Sequence, residues 1–455
     1  MFSAWKEPPV PIYLEVYIFN WTNPEDILKP NIKPHFEEIG PFVFQEKIKK
    51  VNITWNQNNT ITYNNLRYWY FHESKSCCSL STKVTTLNAI PVFAASRIQN
   101  WSVILKKGFD ISISAFSTKL AKVTTADEML FSGYDDVFIS IAHSLLKDAD
   151  LPIQNLHKFG WFYTRNGSFT FDGTFNMAYT GPNVGNVEEW NYQKYMSYYY
   201  TNGKCNKVRG SGGLFYPRNS QRDKIGAFLP DICRYVPLDY ESDETIDGTL
   251  GYKYTAGDSF FDNGTKVPEN KCYCGEYCAP YGALNVSTCR YGTPSFVSNP
   301  HFYGADPYYL DKISGLNPNK TKHQMFMVVE PETGVPLQGE AKLQMNVFIK
   351  PIQSISMLEG VPTFFFPVMW FEQKVKIPAG PHFILKILLH TRLIIRCTGA
   401  VMIMIGILLL YKLYGKKFFQ GYKKKTRKAL KLSSSYVKDS EKPLMNLGIN
   451  TKSFE

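Results

Sequence analysis

Recognisable catalytic motifs are absent from this sequence of 455 residues. It contains no G-x-S-x-G nucleophile elbow, no H-E-x-x-H zinc-binding helix and no phosphate-binding P-loop. Only eight histidines are present, and they are scattered along the chain. His301 and His323 lie in turn-like sequence, where we expect polar surface or capping groups rather than catalytic bases. The sequence therefore indicates no enzyme activity, no catalytic residue, no metal site and no cofactor.

Excess positive charge is scarce outside the C-terminal end. The formal net charge is +12, but residues 412–455 hold 12 Lys and Arg against 3 Asp and Glu, while the remaining 411 residues hold 39 against 36. The larger part of the chain thus lacks a basic stripe that could neutralise nucleic-acid phosphates. We therefore expect no nucleic-acid partner. A basic segment that follows an apolar one is typical of the cytoplasmic side of a membrane anchor.

Long apolar runs are also scarce, and the clear one lies near the C-terminus. Cys397–Tyr411 contains 15 residues without a charge, and extension to Leu393 gives 19 residues with Arg396 as the one charged member. A helix needs about 20 apolar residues to span a bilayer. The sequence predicts a transmembrane helix at 393–411, a basic cytoplasmic tail at 412–455 and an extracellular or lumenal domain at 1–392. The alternative is a buried core helix, which the lysines directly after the run disfavour.

The first residues, MFSAWKEPPVPIYLEVYIF, lack the apolar core of a signal peptide. An outer domain of this size needs a signal or a preceding anchor to cross the membrane. The expectation is that a signal or a first membrane helix precedes the sequence given.

Two features are typical of the secretory route. Eight Asn-X-Ser/Thr acceptors precede the apolar run, which indicates a glycosylated surface. Nine cysteines are present, six of them between 205 and 289, which suggests three disulfides. Spacing cannot choose among the 15 possible pairings. The glycosylation acceptors are Asn20, Asn52, Asn58, Asn100, Asn166, Asn263, Asn285 and Asn319.

A zinc site on Cys272, Cys274 and Cys278 is the rival interpretation of the cysteine cluster. The C-x-C-x3-C spacing lacks the paired C-x2-C units of common structural zinc sites, so disulfides are favoured. Cys77 and Cys78 are adjacent and lie far from the cluster in sequence.

Patterning along the chain predicts a mostly antiparallel α+β domain. Aromatic-rich alternation predicts strands at 11–20, 41–46 and 61–71, and a long hairpin at 325–350 that turns around Glu332–Gly334. Residues 100–147 differ, because AFSTKLAKV, TTADEMLFSGY and VFISIAHSLLK place apolar residues at helical spacing. We predict two or three helices there.

Several stretches together resemble the class B scavenger receptors. They are YLEVYIFNWTNPEDI, EEIGPFVFQE, FSGYDD, PDICR, NVSTCRYGTPSFVSNPHFYGADP, GLNPNKTKH, EPETGVPL, KLQMNVFIKP and FFPVMWFEQ. The resemblance covers residue 5 to roughly residue 411, that is, most of the chain. The most specific part is the cysteine cluster with NVSTCR and SNPHFYGADP.

This resemblance implies an irregular antiparallel β-barrel with a helical cap at about 100–147 and an internal lipid tunnel that leads toward the membrane. It also implies two membrane helices, of which this sequence holds the second. The family pairing, carried onto matching positions in the disulfide region 205–289, is Cys205–Cys272, Cys233–Cys289 and Cys274–Cys278. The implied function is a membrane scavenger receptor that passes apolar cargo through its outer domain.

The expected ligands are fatty acids, sterols, carotenoids or similar apolar molecules, and lipoprotein or modified-lipid particles. Anionic ligands would meet lysines on the helical cap, with apolar neighbours beside them. The alternative is that these lysines form an ordinary solvated helix face. The candidates are Lys106, Lys107, Lys119, Lys122, Phe116 and Leu120.

Two other functions stay open at this stage. One is a lysosomal or endosomal membrane receptor for a protein cargo, instead of the plasma membrane receptor that we favour. Asp439-Ser-Glu-Lys-Pro-Leu444-Met445 comes close to an acidic dileucine sorting signal but has Ser440 at the acidic position and Met in the second place. The other is a structural or adhesion glycoprotein with a collapsed tunnel.

Overall fold

The computed structural model describes residues 2–116, 118–140, 157–181, 183–199, 204–274 and 277–439, except for the side chains of residues 418 and 435–439. It consists of two compact units, Met1–His382 and Phe383–Glu455. The first unit holds the strands, and the described part of the second unit, up to Asp439, is helical.

The helices are short in the first unit and long in the second. They are α1 (Phe2–Lys6), α2 (Ala89–Arg97), α3 (Val103–Ala115), α4 (Tyr308–Lys312), α5 (Lys320–His323), α6 (Ala379–Leu410) and α7 (Lys416–Asp439). Single π-helical turns occur at Glu128–Ser132 and Tyr411–Gly415. Short 3-10 turns occur at Pro24–Asp26, Glu73–Lys75, Lys204–Asn206, Pro230–Ile232, Pro268–Tyr273, Ser287–Cys289 and Pro300–Phe302.

The main sheet has 13 strands, and every pair in it is antiparallel. Its path runs β7-β6-β3-β2-β1-β15-β14-β13-β10-β9-β8, while β12 pairs with β14 and β11 pairs with β12. A separate two-stranded antiparallel sheet pairs β4 with β5, and α2 and α3 lie between these strands in sequence. The strands are β1 (Ile12–Trp21), β2 (Phe36–Trp55), β3 (Thr60–Phe71), β4 (Lys83–Leu87), β5 (Ala121–Thr125), β6 (Thr174–Ala178), β7 (Val187–Trp190), β8 (Lys224–Leu229), β9 (Arg234–Ile246), β10 (Thr249–Thr255), β11 (Ala283–Asn285), β12 (Ser295–Ser298), β13 (Phe326–Val329), β14 (Pro336–Ile349) and β15 (Phe364–Lys376).

Alternation of side chains decides which face of the sheet turns inward. Val16 pairs with Phe42 of β2 and with Phe371 of β15, and both Val16 and Phe42 are fully buried. Because successive side chains of a strand point to opposite faces, the inward residues of β2 are every second one from Phe42 onward. Lys47 and Lys49, on the opposite face, are exposed.

The two ends of the sheet approach each other through the segment around Ser211. Ser211 forms bridges to Asn186, just before β7, and to Ala227 of β8. Its N–H donates to the carbonyl of Gly226 over 2.8 Å, and its own carbonyl accepts from the N–H of Phe228 over 2.8 Å. These bonds occupy edge groups that a sheet otherwise leaves unpaired, so the sheet is nearly closed into a barrel. The predicted antiparallel barrel is confirmed.

The strand predictions at 11–20, 41–46, 61–71 and 325–350 are confirmed by β1, β2, β3 and the β13–β14 pair. The helical prediction for 115–123 is wrong, because the chain leaves α3 at Phe116 and forms β5. Val123, Thr124 and Thr125 are β-branched and pair with β4, and this cross-strand pairing outweighs the weak helical spacing. Of VFISIAHSLLK, residues 137–140 are helical and the remainder lies outside the described residues.

The long apolar helix is present in the second unit. Ala379–Gly415 spans 37 residues with a mean hydropathy of 2.4 over its most apolar window. In the described part of the chain, this is the one helix long and apolar enough to cross a membrane. The near-dileucine segment after Asp439 lies outside the described residues.

Cysteine sulfurs are joined in four pairs among the described residues. Three of them, the pairs that the family resemblance implies, are Cys205–Cys272, Cys233–Cys289 and Cys274–Cys278. The fourth joins the neighbours Cys77 and Cys78. In these same residues, no group of three or more His, Cys, Asp or Glu side chains is placed to hold a metal ion.

The glycosylation acceptors differ in exposure. Asn263 and Asn285 are half-buried, and their amide nitrogens donate to backbone carbonyls. Asn20 is also half-buried, and its side-chain oxygen accepts from the N–H of Thr85. Glycosylation at all eight acceptors stays a prediction. The exposed acceptors are Asn52, Asn58, Asn100, Asn166 and Asn319.

His301 and His323 are not surface groups. Both are buried, and their rings stack with centroids 4.3 Å apart. His301 Nε2 lies 2.6 Å from a carboxylate oxygen of Glu38, which also accepts from the indole N–H of Trp370. The expected surface position is thus wrong. The expected capping role agrees with the structure, because Nδ1 of His301 and Nδ1 of His323 each accept a backbone N–H over 3.0 Å.

Candidate functional site

Helix α3 shows an unusual distribution of side chains. Ile104 and Ile111, one above the other at i and i+7, are 83% and 70% exposed. Gly108 lies between them, and a Cβ there would meet nothing within 4 Å. Large apolar side chains that are exposed next to each other are uncommon on the surfaces of soluble proteins, and such patches mark sites of interaction. Trp101, Val103, Leu105 and Phe116 extend this exposed apolar surface, which we name the α3 surface.

The opposite side of α3 is firmly attached to the first unit. Ser102 caps the helix, because its hydroxyl accepts from the N–H of Leu105. A carboxylate oxygen of Asp110 accepts two bonds of 2.7 Å, from the backbone and the hydroxyl of Ser356. Ile113 is buried in the largest core cluster. The α3 surface is therefore held in place by groups on the other face of the helix.

Two of the sequence-predicted ligand residues face the protein interior. Lys106 is 9% exposed, and its ammonium donates to the carbonyl of Gln99 over 3.5 Å. Leu120 belongs to the largest core cluster. Both side chains are buried, Lys106 by the packing of α3 and Leu120 in the segment just before β5. A ligand-binding role for these two residues stays a prediction.

Lys107, Lys119 and Phe116 are exposed. Phe116 ends α3, and Lys119 lies in the short connection to β5, where its carbonyl accepts from the side chain of Asn88. Lys119 Nζ is 3.6 Å from a carboxylate oxygen of Glu25, and both side chains are largely solvated, so this pair contributes little stability. Lys107, on α3, and Lys119, three residues after Phe116, are therefore both solvated.

Lys122 belongs to β5 and not to a helix. Its ammonium lies 3.8 Å from the ring centroid of Tyr134, a cation–π contact. Burial lowers the pKa of Lys122, and the carboxylates of Asp136, Glu128 and Asp135 oppose that shift. This lysine is half-buried and already has a partner, so it is a weaker ligand candidate than Lys107 or Lys119.

A layer of charged side chains lies on the inward face of β2 and β3. Arg67 contacts Glu46 at 2.7 Å and Asp172 at 2.6 Å. Arg165 contacts Asp172 at 3.2 Å and Asp231 at 2.7 Å. Burial opposes the charge of Asp231, but the guanidinium groups around it prevail and lower its pKa. We name these five residues, together with Arg290 beside Asp231, the ionic layer.

Lys50 lies on the same inward face of β2, four residues after Glu46. It is 3% exposed, and its ammonium lies 5.3 Å from the ring centroids of Trp5 and Tyr63. Among the residues that the structure describes, no carboxylate lies within ion-pair distance of it. Burial, and after it the repulsion of Arg67, lowers the pKa of Lys50 to about 7. The interior is thus polar and charged at this level.

A small cavity lies beneath α2, at the end of β14. Its volume is about 20 Å³, and Val92, Ser96, Phe348, Ile352 and Leu358 are among its lining residues. This is room for one water molecule rather than for a hydrocarbon chain. The lipid tunnel stays a prediction.

Known proteins are similar to most of this chain. Residues 1–414 match the model of the CD36 family. The chain belongs to the CD36 family. Protein peste of Drosophila melanogaster is 39% identical over 385 residues, which cover 83% of this chain and 68% of that protein. Scavenger receptor class B member 1 of Mus musculus is 35% identical over 378 residues, 82% of this chain and 72% of that protein.

A lysosomal relative is also similar. Lysosome membrane protein 2 of Mus musculus is 30% identical over 415 residues, which cover 90% of this chain and 84% of that protein. The class B scavenger receptor resemblance seen in the sequence is thereby confirmed. Members of the CD36 family are receptors rather than enzymes, and scavenger receptors among them bind lipids and lipoproteins. The apolar helix at Ala379–Gly415 agrees with a membrane protein.

Of the α3 surface, the sequence analysis singled out Phe116, together with lysines, and missed its other apolar members. The signal was present in WSVILKKGFDISI, where apolar residues occupy more than one face of a helix. A helix that is apolar on most sides is either enclosed or directed at a partner. Because Ile104 and Ile111 are exposed in the folded structure, α3 fits the description of a helix directed at a partner.

Proposed function

We propose that this member of the CD36 family is a plasma membrane receptor that takes lipid or lipid-bearing particles onto the α3 surface. The observation that carries the proposal is the exposure of Ile104, Leu105 and Ile111 on a helix whose other face is anchored. Each CH2 group transferred from water to an apolar contact contributes about 0.8 kcal/mol. Particles with exposed hydrocarbon therefore gain binding energy from this surface.

Charge supports the same assignment. Lys107 and Lys119 are exposed beside the α3 surface, while Lys106 is turned inward. Lysines at the rim of an apolar patch attract anionic head groups and raise the rate of encounter. Modified-lipid particles and fatty acids carry such groups. We further propose that the apolar cargo then passes through the interior of the barrel toward the membrane.

The test measures saturable binding of a fluorescent anionic lipid particle to cells that display the full-length chain at equal surface density. We expect the double change Ile104→Asp with Ile111→Asp to reduce saturable binding at least tenfold, because two charges replace the most exposed apolar groups. The matched control is Leu250→Asp, an exposed leucine of β10 that is 46% accessible. Equal loss in both variants, or no loss in the double variant, would contradict the proposal.

A second candidate is a lysosomal receptor for a protein cargo. The observation that favours it is the similarity to lysosome membrane protein 2 over 90% of the chain. Localisation of the tagged full-length chain separates the two: accumulation in acidic vesicles supports the second candidate, and residence at the cell surface supports the first.

A further inference from the structure

The adjacent cysteines Cys77 and Cys78 are joined to each other, and their bond lies outside the disulfide region. A disulfide stabilises a fold mainly by closing a loop of the unfolded chain, and the effect grows with loop length. Cys205–Cys272 and Cys233–Cys289 close loops with sequence separations of 67 and 56. A separation of 1 closes almost no loop, so stabilisation by loop closure does not account for this bond.

Its surroundings make the bond accessible from one side. Cys77 is exposed, while Cys78 is half-buried and packs against the largest core cluster. The backbone around the pair is well bonded: the N–H of Cys77 donates to the carbonyl of Pro41 over 2.9 Å. The hydroxyl of Ser76 accepts from Val43 and donates to His72. The exposed sulfur is thus presented on an ordered turn.

The other short disulfide has a different environment. The sulfurs of Cys274 and Cys278 lie 3.2 and 3.8 Å from the carbonyl oxygen of Asn263. The partial negative charge of this oxygen repels an approaching thiolate. Cys233 and Cys289 are 3% and 8% exposed, so access to them is blocked by the core.

We propose that Cys77–Cys78 is a thiol-exchange site for small-molecule thiols. The thiolate of the incoming thiol attacks the exposed sulfur of Cys77, the bond to Cys78 breaks, and Cys78 leaves as a thiolate that takes up the released proton. A second small-molecule thiolate then attacks the small-molecule sulfur of the mixed disulfide, and Cys77 leaves as a thiolate that takes up a proton. The net reaction converts one protein disulfide and two small thiols into two protein thiols and one small-molecule disulfide.

The site lies just before β4 of the two-stranded β4–β5 sheet. The chain runs from Cys78 directly to Leu80 and Thr82, whose carbonyls accept from the N–H groups of Asp127 and Ala126. Strand β5 carries Lys122, and the connection from α3 to β5 holds Lys119. Exchange at the pair therefore acts on the segment that leads to the proposed ligand surface, although the chemistry itself does not depend on lipid binding.

The experiment uses the full-length chain, purified in detergent without reductant and incubated with graded glutathione. Free thiols are alkylated with one reagent, and the remaining cysteines are reduced after denaturation and alkylated with an isotopically heavy form. Peptide mass spectrometry then gives the reduced fraction of each cysteine. We expect Cys77 and Cys78 to be half-reduced at a glutathione concentration at least about tenfold below that required by Cys233 and Cys289.

Two variants complete the test. Both single variants are incubated with oxidised glutathione. Cys78→Ser leaves Cys77 as a free thiol, and we expect it to exchange with the glutathione disulfide to give a stable adduct on Cys77 and one released glutathione. Cys77→Ser leaves only the less accessible sulfur, and we expect an adduct at least several-fold less abundant. Reduction of Cys77 and Cys78 only together with Cys233 and Cys289, or prior reduction of Cys274 and Cys278, would overturn the proposal. Complete alkylation of Cys77 and Cys78 before glutathione is added would also overturn it.

Discussion

The ring of Trp190, in the strand at one end of the long sheet, lies 5.4 Å from the ring of Phe228, in the strand at the other end. Both rings are buried, and the indole N–H of Trp190 donates to the carbonyl of Asp172 over 2.8 Å. This contact and the bonds of Ser211 join the two edges of the sheet. Closure of the barrel thus depends on residues that are 38 positions apart in strands that do not pair with each other.

Truncation of Phe228 tests how much this contact contributes to the free energy of unfolding. We expect Phe228→Ala to lower the free energy of unfolding of the first unit by about 3–5 kcal/mol, because a buried ring is removed at the junction. Phe228→Leu keeps most of the volume and should cost less than about 1.5 kcal/mol. Denaturant unfolding followed by tryptophan fluorescence measures both. Similar losses for Leu and Ala would show that the junction needs an aromatic ring and not merely apolar volume.

Substitutions of the neighbouring α3 residues Lys106 and Lys107 should differ in their effects on stability and on particle binding. Lys106→Ala removes a buried stem and should lower stability by about 1 kcal/mol, with little change in binding of anionic lipid particles. Lys107→Ala should leave stability within about 0.5 kcal/mol of the wild type and weaken binding, more so at low salt. Thermal unfolding and particle binding at two ionic strengths separate these effects. A binding defect confined to Lys106→Ala would contradict the assignment.

Lys50 is expected to cost stability. Its pKa is about 7 in the folded chain and about 10.4 in an unfolded one, so between these values the unfolded state binds the additional proton. The contribution of Lys50 to the free energy of unfolding therefore becomes more favourable as the pH increases from 7 to about 10. Lys50→Met removes the buried cation, and we expect a higher unfolding temperature at pH 7 and a smaller gain at pH 9.

The control for this change is Lys49→Met, at the exposed neighbouring position of β2. It should alter the unfolding temperature little at either pH. An unfolding temperature that falls in Lys50→Met would show that the cation–π contacts with Trp5 and Tyr63 outweigh the burial of the charge.

His323 should make the fold sensitive to acid. Burial lowers its pKa to about 4, and the charges of His301, Lys342 and Lys322 act in the same direction, whereas Glu38 opposes them. The unfolded state therefore binds more protons between pH 6.5 and 4, and stability falls as the pH decreases through this window. Unfolding temperatures measured across the window check the slope.

His323→Asn provides the matched variant. Asparagine offers an oxygen near the position of Nδ1, which accepts from the N–H of Asn319 over 3.0 Å, and it cannot be protonated in this range. We expect a shallower decline of stability with falling pH than in the wild type. An unchanged slope would assign the acid sensitivity to other groups, such as Glu38.

Local sequence determined a large part of this protein. The alternation of apolar residues determined β1, β3 and the β13–β14 hairpin, because a strand with one buried face needs a period of two. The apolar run predicted a helix at 393–411, which lies within the observed helix Ala379–Gly415, because length and hydropathy are properties of consecutive residues. The sequence did not predict that this helix begins at Ala379. The family could be recognised from short motifs for the same reason.

Tertiary structure decided what depends on distant partners. Val123–Thr125 became a strand because β4, almost forty residues earlier, supplies its hydrogen bonds. Lys106 and Lys107 are neighbours of the same type, and only the packing of α3 buries one and exposes the other. The ionic layer unites Arg67, Asp172 and Asp231, which no spacing rule connects. Burial and pairing between remote segments are energies of the whole fold, so the candidate site emerged only when the chain was folded.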